Sequence, residues 1–131
     1  MREFEKIPEE TERIAKQVVD AAFAVHKALG PGLLESVYEV CLCHELGKRG
    51  VPFRNQVALP VVYDGITLDA GLRFDVLAGE SVIAELKAVE KHNPLFEAQL
   101  LTYLKLTGHR LGLLINFNVP LIRDGIKRIV L

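Results

Sequence analysis

Apolar positions recur at helical spacing in the first part of the chain. Ile14, Val18, Ala21, Ala22, Val25, Ala28 and Leu29 fall along one side of a helix that begins near Pro8-Glu9-Glu10-Thr11, after a frayed polar lead. Gly30 is placed to end it as a left-handed cap, and Pro31 opens the next segment. A second helix, about Gly32 to Lys48, carries Leu33, Leu34, Val37, Cys41, Leu42 and Leu46 on its apolar side, with Gly50 closing it. Glu35, Tyr38, Glu39 and Glu45 supply much of its polar character. Glu35, Tyr38 and Glu39 lie three and four positions apart and so are surface neighbours. By themselves they read as a solvated acidic face.

The period then changes from helical to alternating. Val51 to Leu59 and Val61 to Tyr63 are β-rich and broken by Pro60, and Asp64-Gly65 is a hairpin turn before Ile66 to Leu68. From Gly71 to Ala88 the chain predicts two strands joined by a tight turn. Leu72, Phe74 and Val76 alternate with Arg73, Asp75 and Leu77; Val82, Ala84, Leu86 and Ala88 alternate with Ile83, Glu85 and Lys87. An odd number of loop residues sets Asp75 across from Glu85, whereas an even number slips the register and parts the two carboxylates. The odd register is favoured because it also places Phe74 and Val76 on the same side as Ala84 and Leu86.

Asn93 and Pro94 then suit the cap and first turn of a helix to about Thr107, with Leu95, Phe96, Leu100, Leu101 and Leu104 buried and Gln99 and Tyr103 on a different face. Leu111 to Phe117 is nearly all apolar, as in a strand buried on both faces, and Asp124 to Leu131 reads as a turn and an edge strand. The order predicts an α/β domain with a mixed sheet, in which the helix between Lys87 and Leu111 is the crossover of a parallel pair.

Composition narrows the function. At 131 residues a single domain spanning 1–131 is expected, with room for a sizeable core. The net charge of -1 argues against a sequence-blind grip on nucleic acid, though not against a local basic patch. No apolar run approaches a membrane span and the N-terminus is charged rather than signal-like, so a cytoplasmic protein without a membrane partner is expected. Cys41 and Cys43 point apart on a helix and are expected to stay unpaired. Cys41-Leu42-Cys43-His44 lacks a second ligand pair at any usual zinc spacing.

Asp75, Glu85 and Lys87 are the candidate chemistry. Magnesium takes few protein oxygens and keeps several waters, so two carboxylates suffice when a phosphate adds a ligand. Lys87 would point at the same phosphate and neutralise developing charge. The bland counterpart is a cross-strand salt-bridge cluster of little energetic weight. Gln99, on the following helix, could bond the attacking water or a phosphate, and Tyr103 could pack beneath Lys87. Lys91, His92, Lys105, His109 and Arg110 surround this helix, where a local phosphate-facing patch competes with a plain solvated rim.

These residues carry a resemblance. Gly71-Leu72-Arg73-Phe74-Asp75, then Glu85-Leu86-Lys87, then Gln99-Leu100-Leu101-Thr102-Tyr103 resembles the PD-(D/E)XK nuclease superfamily in its RecB-type order of motifs. More narrowly, Gly32-Leu33-Leu34-Glu35-Ser36-Val37-Tyr38 resembles the signature of the GxxExxY proteins, and the similarity runs through nearly the whole chain. The resemblance implies a restriction-endonuclease-like core, α-β-β-β-α-β around a central mixed sheet, with an added N-terminal helix and C-terminal strand. It implies Asp75 and Glu85 as ligands of Mg2+ or Mn2+, Lys87 as catalytic, and Glu35 as the acidic residue of the first core helix, which reverses the solvated-face reading. Gln99 and Tyr103 match the helical motif supporting this centre. Phe74 stands where the superfamily's title motif has proline.

The leading expectation is therefore a metal-dependent nuclease acting on DNA ahead of RNA. Its rival is a catalytically silent module of the same fold that binds nucleic acid or a protein partner. The strand edges and apolar tail, Ile126 to Leu131, also allow a homo-oligomer.

Overall fold

The computed structural model describes residues 5–131; the start of the expected polar lead, residues 1–4, lies outside the described residues. Two helices come first, α1 (Glu9–Leu29) and α2 (Glu35–Lys48). Three strands follow, β1 (Phe53–Tyr63), β2 (Ile66–Ala78) and β3 (Val82–Lys87), then α3 (Pro94–Thr107), β4 (Leu111–Asn116), a 3-10 turn over Ile122–Gly125, and β5 (Ile126–Val130). The five strands lie in sequence order in one sheet. Every neighbouring pair is antiparallel except β3 and β4, which run parallel with α3 as their crossover. This is the α/β, restriction-endonuclease-like arrangement: an α-β-β-β-α-β core extended by α1 and β5.

Helices cover the sheet on both faces. Ile14, Val18, Ala22, Leu42 and Leu46 from α1 and α2 pack with Val76, Ala84, Leu86, Leu113 and Ile115, while Leu100, Tyr103 and Leu104 from α3 pack with Leu77, Ile83 and Leu114. The apolar run of β4 thus serves both layers, as expected of a strand buried on both sides. Gly112 lets α3 lie close: a Cβ there would meet the Leu100 side chain at 2.9 Å. Asn93 caps α3 by accepting a hydrogen bond from the Leu95 N–H at 2.9 Å, with Pro94 in the first turn and Gly108 left-handed at the C-terminus.

Several local expectations are corrected. The two pieces expected over Val51 to Leu59 and Val61 to Tyr63 form one strand that starts at Phe53, and Pro60 marks a shift of register rather than a break. Gly30 has a positive φ of 69° but an extended ψ of -174°, so it ends α1 without adopting the left-handed helical conformation. In α2 the apolar face is rotated from the one expected. Leu33, Leu34 and Val37 are exposed, whereas Tyr38, Leu42, Cys43 and Leu46 are buried. Tyr38 is core rather than part of a polar face: its ring stacks on Phe117 at 4.5 Å, and its hydroxyl donates to the Gly30 carbonyl at 2.6 Å and accepts from the Leu33 N–H at 3.1 Å. Leu95 is exposed, and Tyr103 shares the buried face of α3 with Leu100 and Leu104. Both cysteines are free thiols, and burial pushes the Cys43 thiol up to about 11.

Candidate active site

The β2–β3 connection has three residues, Gly79, Glu80 and Ser81, between the paired Ala78 and Val82. The count is odd, and the register continues as Leu77 with Ile83 and Val76 with Ala84, so Asp75 and Glu85 are next in line. Regular pairing stops there and side chains take over. The Asp75 N–H donates to Glu85 Oε1 and the Leu86 N–H donates to Asp75 Oδ2, both at 2.8 Å. Each carboxylate thereby closes on the backbone of the other strand.

The interruption has a second consequence. In the β1–β2 ladder Asn55 faces Val76 and Val57 faces Phe74, leaving Gln56 and Asp75 as the step skipped between them. Past this step β2 changes faces. Phe74 packs with Leu77, Ile83 and Tyr103 on the α3 side, while Val76 packs under α1 and α2 with Ala84 and Leu86. The expectation that Phe74 and Val76 share a face is corrected, since simple alternation assumes an unbroken pleat.

Glu85 is only 6% exposed. Its burial and the nearby Asp75 charge push its carboxyl up to about 8, only partly offset by the Asp75 N–H and Lys87. Lost hydration and then the Asp75 charge also raise Glu35 at the start of α2, with Lys87 opposing and Glu39 adding to the shift. Although Glu35 stays open to solvent, it is within electrostatic reach of the β2–β3 carboxylates and the lysine. Tyr103 is raised by burial and by the charges of Glu85 and Asp75, which places it beside the same pair. Five of the six candidate residues, Glu35, Asp75, Glu85, Lys87 and Tyr103, therefore gather from α2, β2, β3 and α3.

Gln99 does not join them. It is exposed on α3, shares a groove with Asn93, Phe96 and Thr102, and makes no hydrogen bond to the carboxylates. The aromatic ring against Lys87 is Phe96 rather than Tyr103, with the ammonium 4.4 Å from the ring centre. Tyr103 instead packs on Phe74, ring centres 6.3 Å apart. A cavity of about 290 Å³ beside Lys87 is lined by Val89, His92, Phe96, Leu114, Asn116 and Lys127 among others. A larger apolar groove, lined by Phe23, Leu121 and Ile122, lies between α1 and the 3-10 turn and includes none of the carboxylates.

The surrounding basic residues do not form one patch. Parallel pairing sets Val82 beside Leu111 and Lys87 beside Asn116, so His109 and Arg110 precede one end of the strands while Lys91 and His92 follow the other. Arg110 is occupied by the carbonyls of Glu5, Lys6 and Leu131, and His92 pairs with Glu97 at 3.1 Å.

The donors fit a hard divalent cation. Asp75 Oδ2 and Glu85 Oε1 each accept one backbone N–H, so Asp75 Oδ1 and Glu85 Oε2 are the oxygens with no backbone donor and the most freedom to meet an ion. Among the described residues, no three His, Cys, Asp or Glu side chains converge as a closed cage. Few carboxylate oxygens with room for water and phosphate suit Mg2+ or Mn2+ rather than zinc. Burial first, and then the Asp75 charge, disfavour the ionised Glu85 carboxylate, and a bound cation would offset both.

A model of the PD-(D/E)XK nuclease superfamily matches residues 12–129. The chain belongs to that superfamily. No curated protein and no solved structure matches it. PD-(D/E)XK proteins are generally nucleases and typically use divalent metals such as Mg2+. The matched span takes in both helical layers and the whole β2–β3 clasp. Two residues that touch this candidate site, Phe96 against Lys87 and Gln56 near Asp75, are not among the expected site residues. Phe96 was assigned to the core by its apolarity, and Gln56 carried no signal because its distinction is a backbone conformation. The structure describes no helix long and apolar enough to cross a membrane.

Proposed function

We propose that this chain is a single-domain Mg2+- or Mn2+-dependent phosphodiesterase that hydrolyses nucleic acid, DNA ahead of RNA. The observation that carries the reading is the reciprocal clasp between Asp75 and Glu85, with Lys87 two residues on along β3. Asp75 and Glu85 would hold the ion through their remaining oxygens. When bound, the ion would make a coordinated water more acidic and offset charge building on the phosphate. Lys87, held over Phe96, brings an ammonium to the phosphate oxygens, where charge grows as water adds to phosphorus and the ester oxygen departs. Glu35, with its raised carboxyl, is suited to accept or return a proton near the attacking water. Tyr103 supports the pair from α3, and exposed Gln99 would meet the nucleic acid rather than the ion.

We further propose that within the superfamily the chain falls with the GxxExxY proteins, a reading supported by what the residues of that motif do in the fold. Gly32 has a φ of 100°, Glu35 opens α2 toward the carboxylates, and the Tyr38 hydroxyl closes the α1–α2 turn. The test is cleavage of single- and double-stranded DNA and RNA with Mn2+. Lys87→Ala is expected to lower the rate by roughly a hundredfold or more with the melting temperature nearly unchanged. No cleavage by the wild type, or equal cleavage by the variant, would sink the assignment.

One observation favours a silent binding module instead: half of each carboxylate is already spent on the backbone. Calorimetry separates the two readings. A Mn2+ site of millimolar affinity or better that disappears in Asp75→Asn supports the enzyme, and its absence supports the module.

A further inference from the structure

Three residues other than glycine have a positive φ among the described residues: Gln56, Asp64 and Glu80. Asp64 and Glu80 sit in the tight turns that join β1 to β2 and β2 to β3. Gln56, with φ 51°, lies inside β1. A glutamine gains nothing from that conformation by itself, so surrounding contacts must hold it there. Arg73 Nη1 donates to the Gln56 carbonyl at 3.1 Å from the neighbouring strand. The kink aims the side-chain amide at two carboxylates: Nε2 donates to Glu39 Oε1 at 2.6 Å and lies 3.5 Å from Asp75 Oδ1. Asn55 Nδ2 approaches the other oxygen of Glu39 at 3.5 Å.

We propose that Gln56 is a positioning residue for Asp75, orienting the one carboxylate oxygen that the backbone leaves free. The Leu86 N–H holds Asp75 Oδ2 in place, whereas Oδ1 has no backbone donor, and it is the oxygen facing the amide. By holding Glu39 with its closer bond, the same amide keeps a further carboxylate on α2 from turning toward the centre. Asp75 then faces a neutral donor rather than another anion. The strained step in β1, the skipped rung opposite Asp75 and the Arg73 tether are parts of one device. It carries the geometry of α2 into the β2–β3 clasp.

This inference rests on the metal-centre reading, and its test keeps the two apart. Mn2+ binding to the full chain is measured by calorimetry, and thermal unfolding is followed without metal, for wild type, Gln56→Gly and Gln56→Asn. Glycine and asparagine tolerate positive φ, so both variants are expected to melt no lower than wild type. Glycine lacks the amide and asparagine is too short to span both carboxylates, so both should bind Mn2+ about tenfold more weakly. Weaker Mn2+ binding without loss of stability identifies positioning, because a merely structural residue would lose stability and leave affinity alone. Unchanged Mn2+ affinity in both variants would overturn the role of Gln56 while leaving the centre intact. A wild type with no Mn2+ site would overturn the centre and this role together.

Discussion

Under α1 and α2 the sheet presents Val76, Ala78, Val82, Ala84 and Leu86; under α3 the same two strands present Leu77, Ile83, Glu85 and Lys87. On the first face the buried polar groups of Tyr38 and His26 are satisfied, the former by the α1–α2 turn and the latter by the Val119 carbonyl at 2.8 Å. On the second, a buried carboxylate has a neighbouring anion and a lysine held over an aromatic ring. One face is organised for packing. The other gives up apolar contact at its open end, where the ladder ceases and carboxylates replace backbone partners. The contrast illustrates how a stable layer can support a locally unfavourable arrangement of charge.

Mutations can break this comparison from either side. The largest stability loss is expected on the packing face: Leu42→Ala, at a fully buried position, should cost about 2–5 kcal/mol in denaturant unfolding. Mn2+ affinity should hardly change while the protein stays folded. Loss of metal binding at constant stability would erase the distinction between the faces.

The next effect is a pH dependence of the metal-free protein. Glu85 rises from an ordinary 4.5 to about 8 on folding, so between those values the folded protein binds more protons than the unfolded chain. The associated stabilisation is fully present below about 4.5 and is lost as pH rises through 8. Unfolding followed from pH 5 to 8 should show a decline on the order of a few kcal/mol at most. Glu85→Gln should flatten it, and saturating Mn2+ should restore stability at the alkaline end. A decline unchanged in the glutamine variant would assign it to other groups.

The smallest effect sharpens the role of the turn. Tyr38→Phe keeps the ring stacked on Phe117 and removes the hydroxyl from Gly30 and Leu33. It should cost about 1–3 kcal/mol, because two backbone groups lose their partner. The activity loss should be modest beside that of Lys87→Ala, since Tyr38 acts only through the position of Glu35.

Much of the fold was legible because its signals are local. The helical spacing of Ile14, Val18, Ala22 and Val25, the Asn93-Pro94 start and the doubly buried run from Leu111 each correspond to an element where expected. That Asp75 and Glu85 come level was legible from the parity of the three-residue loop, but the supporting argument that Phe74 and Val76 share a face failed. Tyr38 was misread because a tyrosine fits either a wet or a dry face, and the choice depends on Phe117, far along the chain. Phe74 was misread because the pleat is interrupted by Gln56 and Asp75, which meet only when β1 pairs with β2.

The sequence by itself determined the order of elements, the antiparallel β2–β3 pair and the spacing of Glu85 and Lys87, all consequences of backbone periodicity and short loops. Tertiary structure decided which carboxylate oxygens accept backbone N–H groups, which aromatic ring meets Lys87, and that exposed Gln99 stands apart while Gln56 approaches Asp75. These depend on contacts between segments distant in the chain. Their angles and distances follow from how α2, α3 and the sheet pack, not from the period within any one of them.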